Sequence, residues 1–152
     1  MAEDVRRWRR VCGLWGPVLL WMAVIFVISN QQDLPAPDNG IADLLIKKTG
    51  HVLEYAILGL LLSRACHATM NGRQLIPALA AIVIGGLYAL SDEIHQVFVP
   101  TRSGNVHDIL LDLAAVAAAV TLAWLWRRHS ATADRPVSHR ISPPAQRPRG
   151  PA

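Results

Sequence analysis

The chain has 152 residues, 52% of them hydrophobic, and carries 15 lysines and arginines against 11 aspartates and glutamates for a formal net charge of +4. This length is the scale of one domain. So high an apolar share, gathered into runs, excludes a disordered chain and an ordinary soluble domain. The two cysteines, Cys12 and Cys66, imply no disulfide framework.

The apolar runs lie at about 11–29, 49–66, 75–91 and 109–126, each near the roughly 20 residues that cross a bilayer as a helix. Leu14 to Ile28 is apolar on every side and offers no face to water. The expected fold is therefore all-α: an integral membrane four-helix bundle with spans at about 11–29, 49–66, 75–99 and 106–126. A basic segment, 1–10, precedes this membrane domain (11–126), and a disordered tail rich in Pro and Arg, 127–152, follows it. Orientation follows from lysine and arginine. Arg6, Arg7, Arg9, Arg10, Arg64, Arg73, Arg127, Arg128, Arg135, Arg140, Arg147 and Arg149 fall on one side, against Lys47, Lys48 and Arg102 on the other. That bias predicts a cell-membrane protein with both termini cytoplasmic, and it explains the positive charge without any nucleic-acid partner.

In chain order, the first span follows four arginines and reads as an uncleaved anchor. Pro17 is expected in its first turns, where a missing amide costs least, and Trp8, Trp15 and Trp21 in part at the interface. Asn30 to Asp43 reads as an external loop with Asp38-Asn39-Gly40 as turn chemistry, and Ile41 to Ile46 as a short surface helix. The second span opens on Lys47, Lys48, His51, Glu54 and Tyr55. Lys48, His51 and Tyr55 stand at i, i+3 and i+7 and form one helical stripe. Asn71-Gly72 reads as a cytoplasmic turn. Ala81, Gly85 and Ala89 give the third span a stripe of small residues, and Ala114/Ala118 and Ala115/Ala119 do so for the fourth, so these two helices should pack closely. Asn105, three before Asp108, resembles a capping box with Asp in place of Glu.

The segment from Ala89 to Asp112 holds most of the chemistry. Asp92 and Gln96 share a helical face with Glu93 beside it, and Asp108 and Asp112 repeat that spacing in the next helix. Charged groups in spans cost about 2.5–3.5 kcal/mol each near the bilayer centre and less near its edge. Pairing alone is one explanation: Lys48 or Arg102 neutralising Asp92, Glu93 or Asp108, and His51 bonding Tyr55 or Glu54. The carboxylates Glu54, Asp92, Glu93, Asp108 and Asp112 nevertheless outnumber the nearby fixed cations, Lys47, Lys48 and Arg102, and such a surplus recruits a cation or a proton. His95 and His107 read as interfacial surface histidines.

Lys48-x-x-His51-x-x-x-Tyr55-x-x-Leu58-Gly59, then Asp92-Glu93-x-x-Gln96-x-Phe98-x-Pro100-x-Arg102, then Asp108 and Asp112, resembles the VanZ-like family of small bacterial membrane proteins. The resemblance covers about residues 14–126, with departures at Lys47, Val52 and Asp112. It implies a multi-pass membrane protein of the cell envelope, linked through the family's namesake to teicoplanin resistance, and it supplies no reaction.

Two classes of function fit the cluster. In the first, an anionic envelope lipid or cell-wall precursor, such as one linked to undecaprenyl phosphate, is bound or modified. Lys48 and Arg102 meet its phosphate, with Tyr55, Gln96, Asp108 and Asp112 as further binding groups. Asp92, Glu93 and His51 are the catalytic candidates. A divalent cation would draw on Glu54, Asp92, Glu93 and Asp108: Mg²⁺ or Ca²⁺ by their oxygens, Zn²⁺ if His51 or His95 joins. In the second class the protein is a non-catalytic partner or helix staple. A small transporter would need oligomers, because the inner half offers little polar beyond Ser63 and Thr121.

Overall fold

The computed structural model describes residues 1–30, 40–70, 74–99 and 105–133, apart from the side chains of 40–44, 46–47 and 131–133. The expected turns at Asp38-Asn39 and Asn71-Gly72, the residues Pro100 and Arg102, and the tail from 134 onward lie outside it.

Four helices follow in order: α1 (Ala2–Ser29), α2 (Gly40–Thr69), α3 (Leu75–Val97) and α4 (Val106–Ala133). No strand occurs among the described residues. Three of the helices, α1, α3 and α4, are long and apolar enough to cross a membrane. The fourth, α2, carries Lys48, His51 and Glu54 toward one end and Arg64 and His67 toward the other. It lies among the rest, packed on α1, α3 and α4, whereas α1 and α4 do not approach each other among the described residues. Its His51 and Glu54 are partly covered by neighbouring helices, whereas Arg64 is exposed.

Cross-helix pairs fix the directions. Lys48 meets Asp108, His51 meets Asp112 and Ser63 meets Arg127, in the same order along both chains, so α2 and α4 run parallel. Tyr88 donates to the Met22 carbonyl (2.6 Å) and Ser29 to Asp92 (2.9 Å), so α1 and α3 run parallel too. The arrangement is up-down-up-down, with α2–α4 as the close diagonal. Wholly buried Leu58, Leu62, Val116 and Val120 fill the middle.

Small residues set how close the helices come. Ala81, Gly85 and Ala89 are buried as expected, and a Cβ on Gly85 would lie 2.7 Å from Val116 Cγ1. On α4 only the Ala115/Ala119 stripe faces inward; Ala114 and Ala118 are exposed. A close approach to backbone is one the stripes did not indicate. A Cβ on Gly59 of α2 would sit 2.9 Å from the Val116 carbonyl oxygen and 3.2 Å from Ala119 Cβ.

Two local expectations need correction. The residues from Ile41 to Ile46 are not a separate surface helix; they continue directly into α2. Because α1 begins at Ala2, Pro17 is inside that helix, not in its first turns. A proline there leaves the carbonyl four residues earlier without its helical donor. That carbonyl belongs to Gly13, and it accepts instead from Arg64 Nη2 at 3.0 Å. The proline thus creates the docking point that ties α1 to α2, while Trp21 Nε1 donates to the Glu54 carbonyl (2.9 Å) further along. Pro17→Ala returns a donor to Gly13, so Arg64→Gln should destabilise the native chain more than the Pro17→Ala chain. The coupling expected in a double-mutant cycle of thermal unfolding in mild detergent is about 1 kcal/mol. Strictly additive effects would remove this link.

Candidate functional site

The polar residues at the Lys48 end of the bundle come from all four helices and lie in layers about one helical turn, or ~5.4 Å, apart. The outermost layer is a half-exposed pair, Lys48 Nζ donating to Asp108 Oδ1 at 3.1 Å. One turn deeper, His51 Nδ1 stands 3.5 Å from Asp112 Oδ1, an ion-pair separation that is too long for a good hydrogen bond. His51 therefore has a partner on a facing helix, Asp112, beyond the neighbours that spacing along one helix suggested. Asp112 is only 1% exposed. A turn deeper again, on the same stripe of α2, Tyr55 is wholly buried and faces Asp92 and Asp112.

Asp92 itself is 3% exposed. Its Oδ2 accepts two hydrogen bonds, from Ser29 Oγ at 2.9 Å and Gln96 Nε2 at 3.0 Å. Gln96 reaches it because i and i+4 share a helical face. Ser29 reaches it because α1 ends at the same depth. The other oxygen, Asp92 Oδ1, has no hydrogen-bond partner, and neither have Asp112 Oδ1 and the Tyr55 hydroxyl. Buried polar atoms are normally hydrogen-bonded; here Asp92 Oδ1 and the Tyr55 hydroxyl lack such a bond, and Asp112 Oδ1 has only its 3.5 Å ion-pair contact with His51.

Glu93 has a different task. Its Oε1 accepts the backbone N–H of Asn105, while Asn105 Oδ1 accepts the backbone N–H of His107 at 3.0 Å. Asn105 is thus the N-cap of α4, as expected, but the reciprocal acceptor is Glu93 from α3 and not Asp108. A capping box that in one helix would be local here links two helices. His107 is exposed and bonds Asn105, whereas His95 is half-buried and stacks on Phe26 with ring centroids 4.6 Å apart.

Among the described residues, no three His, Cys, Asp or Glu side chains converge as a metal ion needs. Asp92, Glu93 and Asp108, three of the four cation candidates, are each engaged separately, and Glu54 brings no such group together. Among the described residues, the candidate side chains do not fit a resident divalent cation.

Sequence reasoning missed Ser29, although a lone hydroxyl closing an apolar run was its signal. It also missed the opposite end of the bundle, where Arg127 Nη2 donates to the buried Ser63 hydroxyl and lies 3.4 Å from His67 Nδ1. Nothing in the spacing tied Arg127 to α2.

A bundle of apolar helices closed around a polar cluster at one end defines a multi-pass α-helical membrane protein. Residues 14–127 match the family model described as VanZ/LLP1. The chain belongs to that family. No curated protein and no solved structure matches it.

Proposed function

We propose that this protein sits in the cell membrane with both termini cytoplasmic and binds an anionic envelope lipid or cell-wall precursor at the outer end of its bundle. The observation that carries this reading is the incomplete pairing of deeply buried groups: Asp92 Oδ1 and the Tyr55 hydroxyl have no hydrogen-bond partner, and Asp112 Oδ1 has only its long ion-pair contact with His51. A bundle built only to hold its helices together has no use for unpaired buried acceptors, which cost stability. At the mouth, half-exposed Lys48 can exchange Asp108 for a ligand phosphate. The family's namesake makes tolerance to a lipid-directed glycopeptide such as teicoplanin the phenotype to examine.

A staple is the second reading, favoured by the cross-helix pairs Lys48–Asp108 and His51–Asp112. Transport by a single copy is disfavoured, because Leu58, Leu62, Val116 and Val120 separate the two polar ends.

The direct test is mass spectrometry of lipids retained by the protein in mild detergent. Phosphate-bearing lipids should be enriched over the bulk membrane, and Lys48→Gln should remove that enrichment. A lipid profile identical to the membrane's would count against the reading. Orientation has its own check, motivated by the twelve-to-three basic bias. With Cys12 replaced by Ser, reporter cysteines at Asn39 and Gly104 should label from outside intact cells, and one at Ser142 only after permeabilisation. The reverse pattern would invert the protein.

A further inference from the structure

We infer that Ser29 and Gln96 are positioning residues for Asp92, and that the group they prepare it to receive is the hydroxyl of a lipid alcohol at the edge of the hydrocarbon layer. This rests on the reading of the outer end as a lipid site and adds the chemistry of its deeper half. Both donors converge on one oxygen, Asp92 Oδ2, at 2.9 and 3.0 Å. That fixes the carboxylate plane and leaves Oδ1 buried without a partner. An ionised carboxylate only accepts hydrogen bonds, so whatever completes Oδ1 must bring a donor. Asp112 Oδ1 already has His51 as an ion-pair partner at 3.5 Å, and the Tyr55 hydroxyl, which faces both aspartates, can serve as donor or acceptor.

Depth selects the donor. The apolar run of α1 stops at Ser29 and that of α3 at Ser91, so Asp92 lies where hydrocarbon gives way to the interface. Lys48 stands about two turns, or ~11 Å, further out. A phosphate held at Lys48 is beyond the reach of Asp92. A group reaching Asp92 instead belongs to a molecule whose apolar body lies in the bilayer and whose hydroxyl marks its end. An ammonium at this depth would carry the desolvation cost of a charge, which a hydroxyl avoids.

The full-length protein in mild detergent is titrated with dioleoylglycerol, with its acetate ester, which differs only in lacking the free hydroxyl, and with dioleoyl phosphatidic acid. Binding is read by native mass spectrometry. Dioleoylglycerol should bind about tenfold more tightly than the acetate, the weight of one hydrogen bond to a charged acceptor. Ser29→Ala should erase most of that preference, Ser29→Thr should restore it, and phosphatidic acid binding should be indifferent to both. Equal binding of alcohol and acetate by the unaltered protein would sink the inference. So would a Ser29→Ala protein that keeps the preference. Phosphatidic acid binding without discrimination between alcohol and acetate defeats this inference alone. Discrimination without phosphatidic acid binding defeats the phosphate reading alone.

Discussion

Replacing Gly59 with leucine is expected to leave almost no protein that elutes as a single species in mild detergent. At this position α2 and α4 meet backbone to backbone. Even an alanine Cβ would lie 2.9 Å from the Val116 carbonyl oxygen and 3.1 Å from Val116 Cα. Backbone atoms cannot rotate aside as a side chain can, so the two helices must separate. Separation would loosen the apolar layer of Leu58, Leu62 and Val120 and pull apart the pairs that α2 makes with α4. Gly59→Ala should therefore cost about 1–3 kcal/mol as overpacking, and leucine considerably more. The other glycines supply a graded control. Gly86→Ala meets only the flexible end of Leu113, at 3.0 Å, and Gly50→Ala meets nothing within 4 Å. The Gly50 substitution should be neutral or stabilise by up to about 1 kcal/mol, the helix propensity gained. A Gly59→Leu protein as stable as its parent would dismiss the α2–α4 diagonal.

Asp92→Asn and Asp112→Asn, singly and together, are expected to fold normally and to lose the ligand. Each change keeps shape while removing a charge from a nearly dry position. The amide at residue 92 can still bond Ser29 and Gln96 once their hydrogens reorient. At residue 112, His51 loses an ion-pair partner but can remain neutral at little cost. Removing a charge from these nearly dry positions should leave thermal stability equal or raise it slightly, because a neutral amide costs less to bury than a carboxylate. Retention of phosphate-bearing lipid, and any glycopeptide tolerance the protein confers, should fall to background. The opposite pattern is equally clear: variants that vanish from the membrane while their survivors keep both properties would make the cluster a staple. Glu93→Gln is the informative neighbour. Its role in the structure is to accept the Asn105 N–H, and a glutamine oxygen still does that, so it should affect the ligand less than either aspartate change.

The helical periods and apolar lengths made the four-helix membrane fold legible from sequence, because a bilayer tolerates little else at those lengths. The outer cluster was legible for a related reason. Carboxylates in apolar helices are rare enough to stand out, and their i, i+4 spacing placed Gln96 beside Asp92 and Asp112 beside Asp108. Partnership across helices was not legible. That His51 meets Asp112, that Glu93 caps α4, and that Ser29 holds Asp92 all depend on the relative height of helices, which no single-helix period encodes. Pro17 was misplaced because the arginines before it looked like a tail, although arginine is a good helix former and the helix begins at Ala2.

The enclosed position of α2 has a consequence for how the chain enters the membrane during synthesis. The insertion machinery judges a segment largely by its own apolarity, and Lys48, His51, Glu54 and Arg64 each weigh against α2 there. The segment becomes comfortable only when α1, α3 and α4 surround it, yet two of those emerge after it. Its lasting placement therefore waits on helices not yet made. The Trp21–Glu54 and Arg64–Gly13 contacts are the earliest ties available to it, since both partners of each exist as soon as α2 has emerged. Until α4 arrives, α2 is the part of the nascent chain most exposed to quality control, and substitutions that weaken its hold on α1 should lower yield before they alter the finished protein.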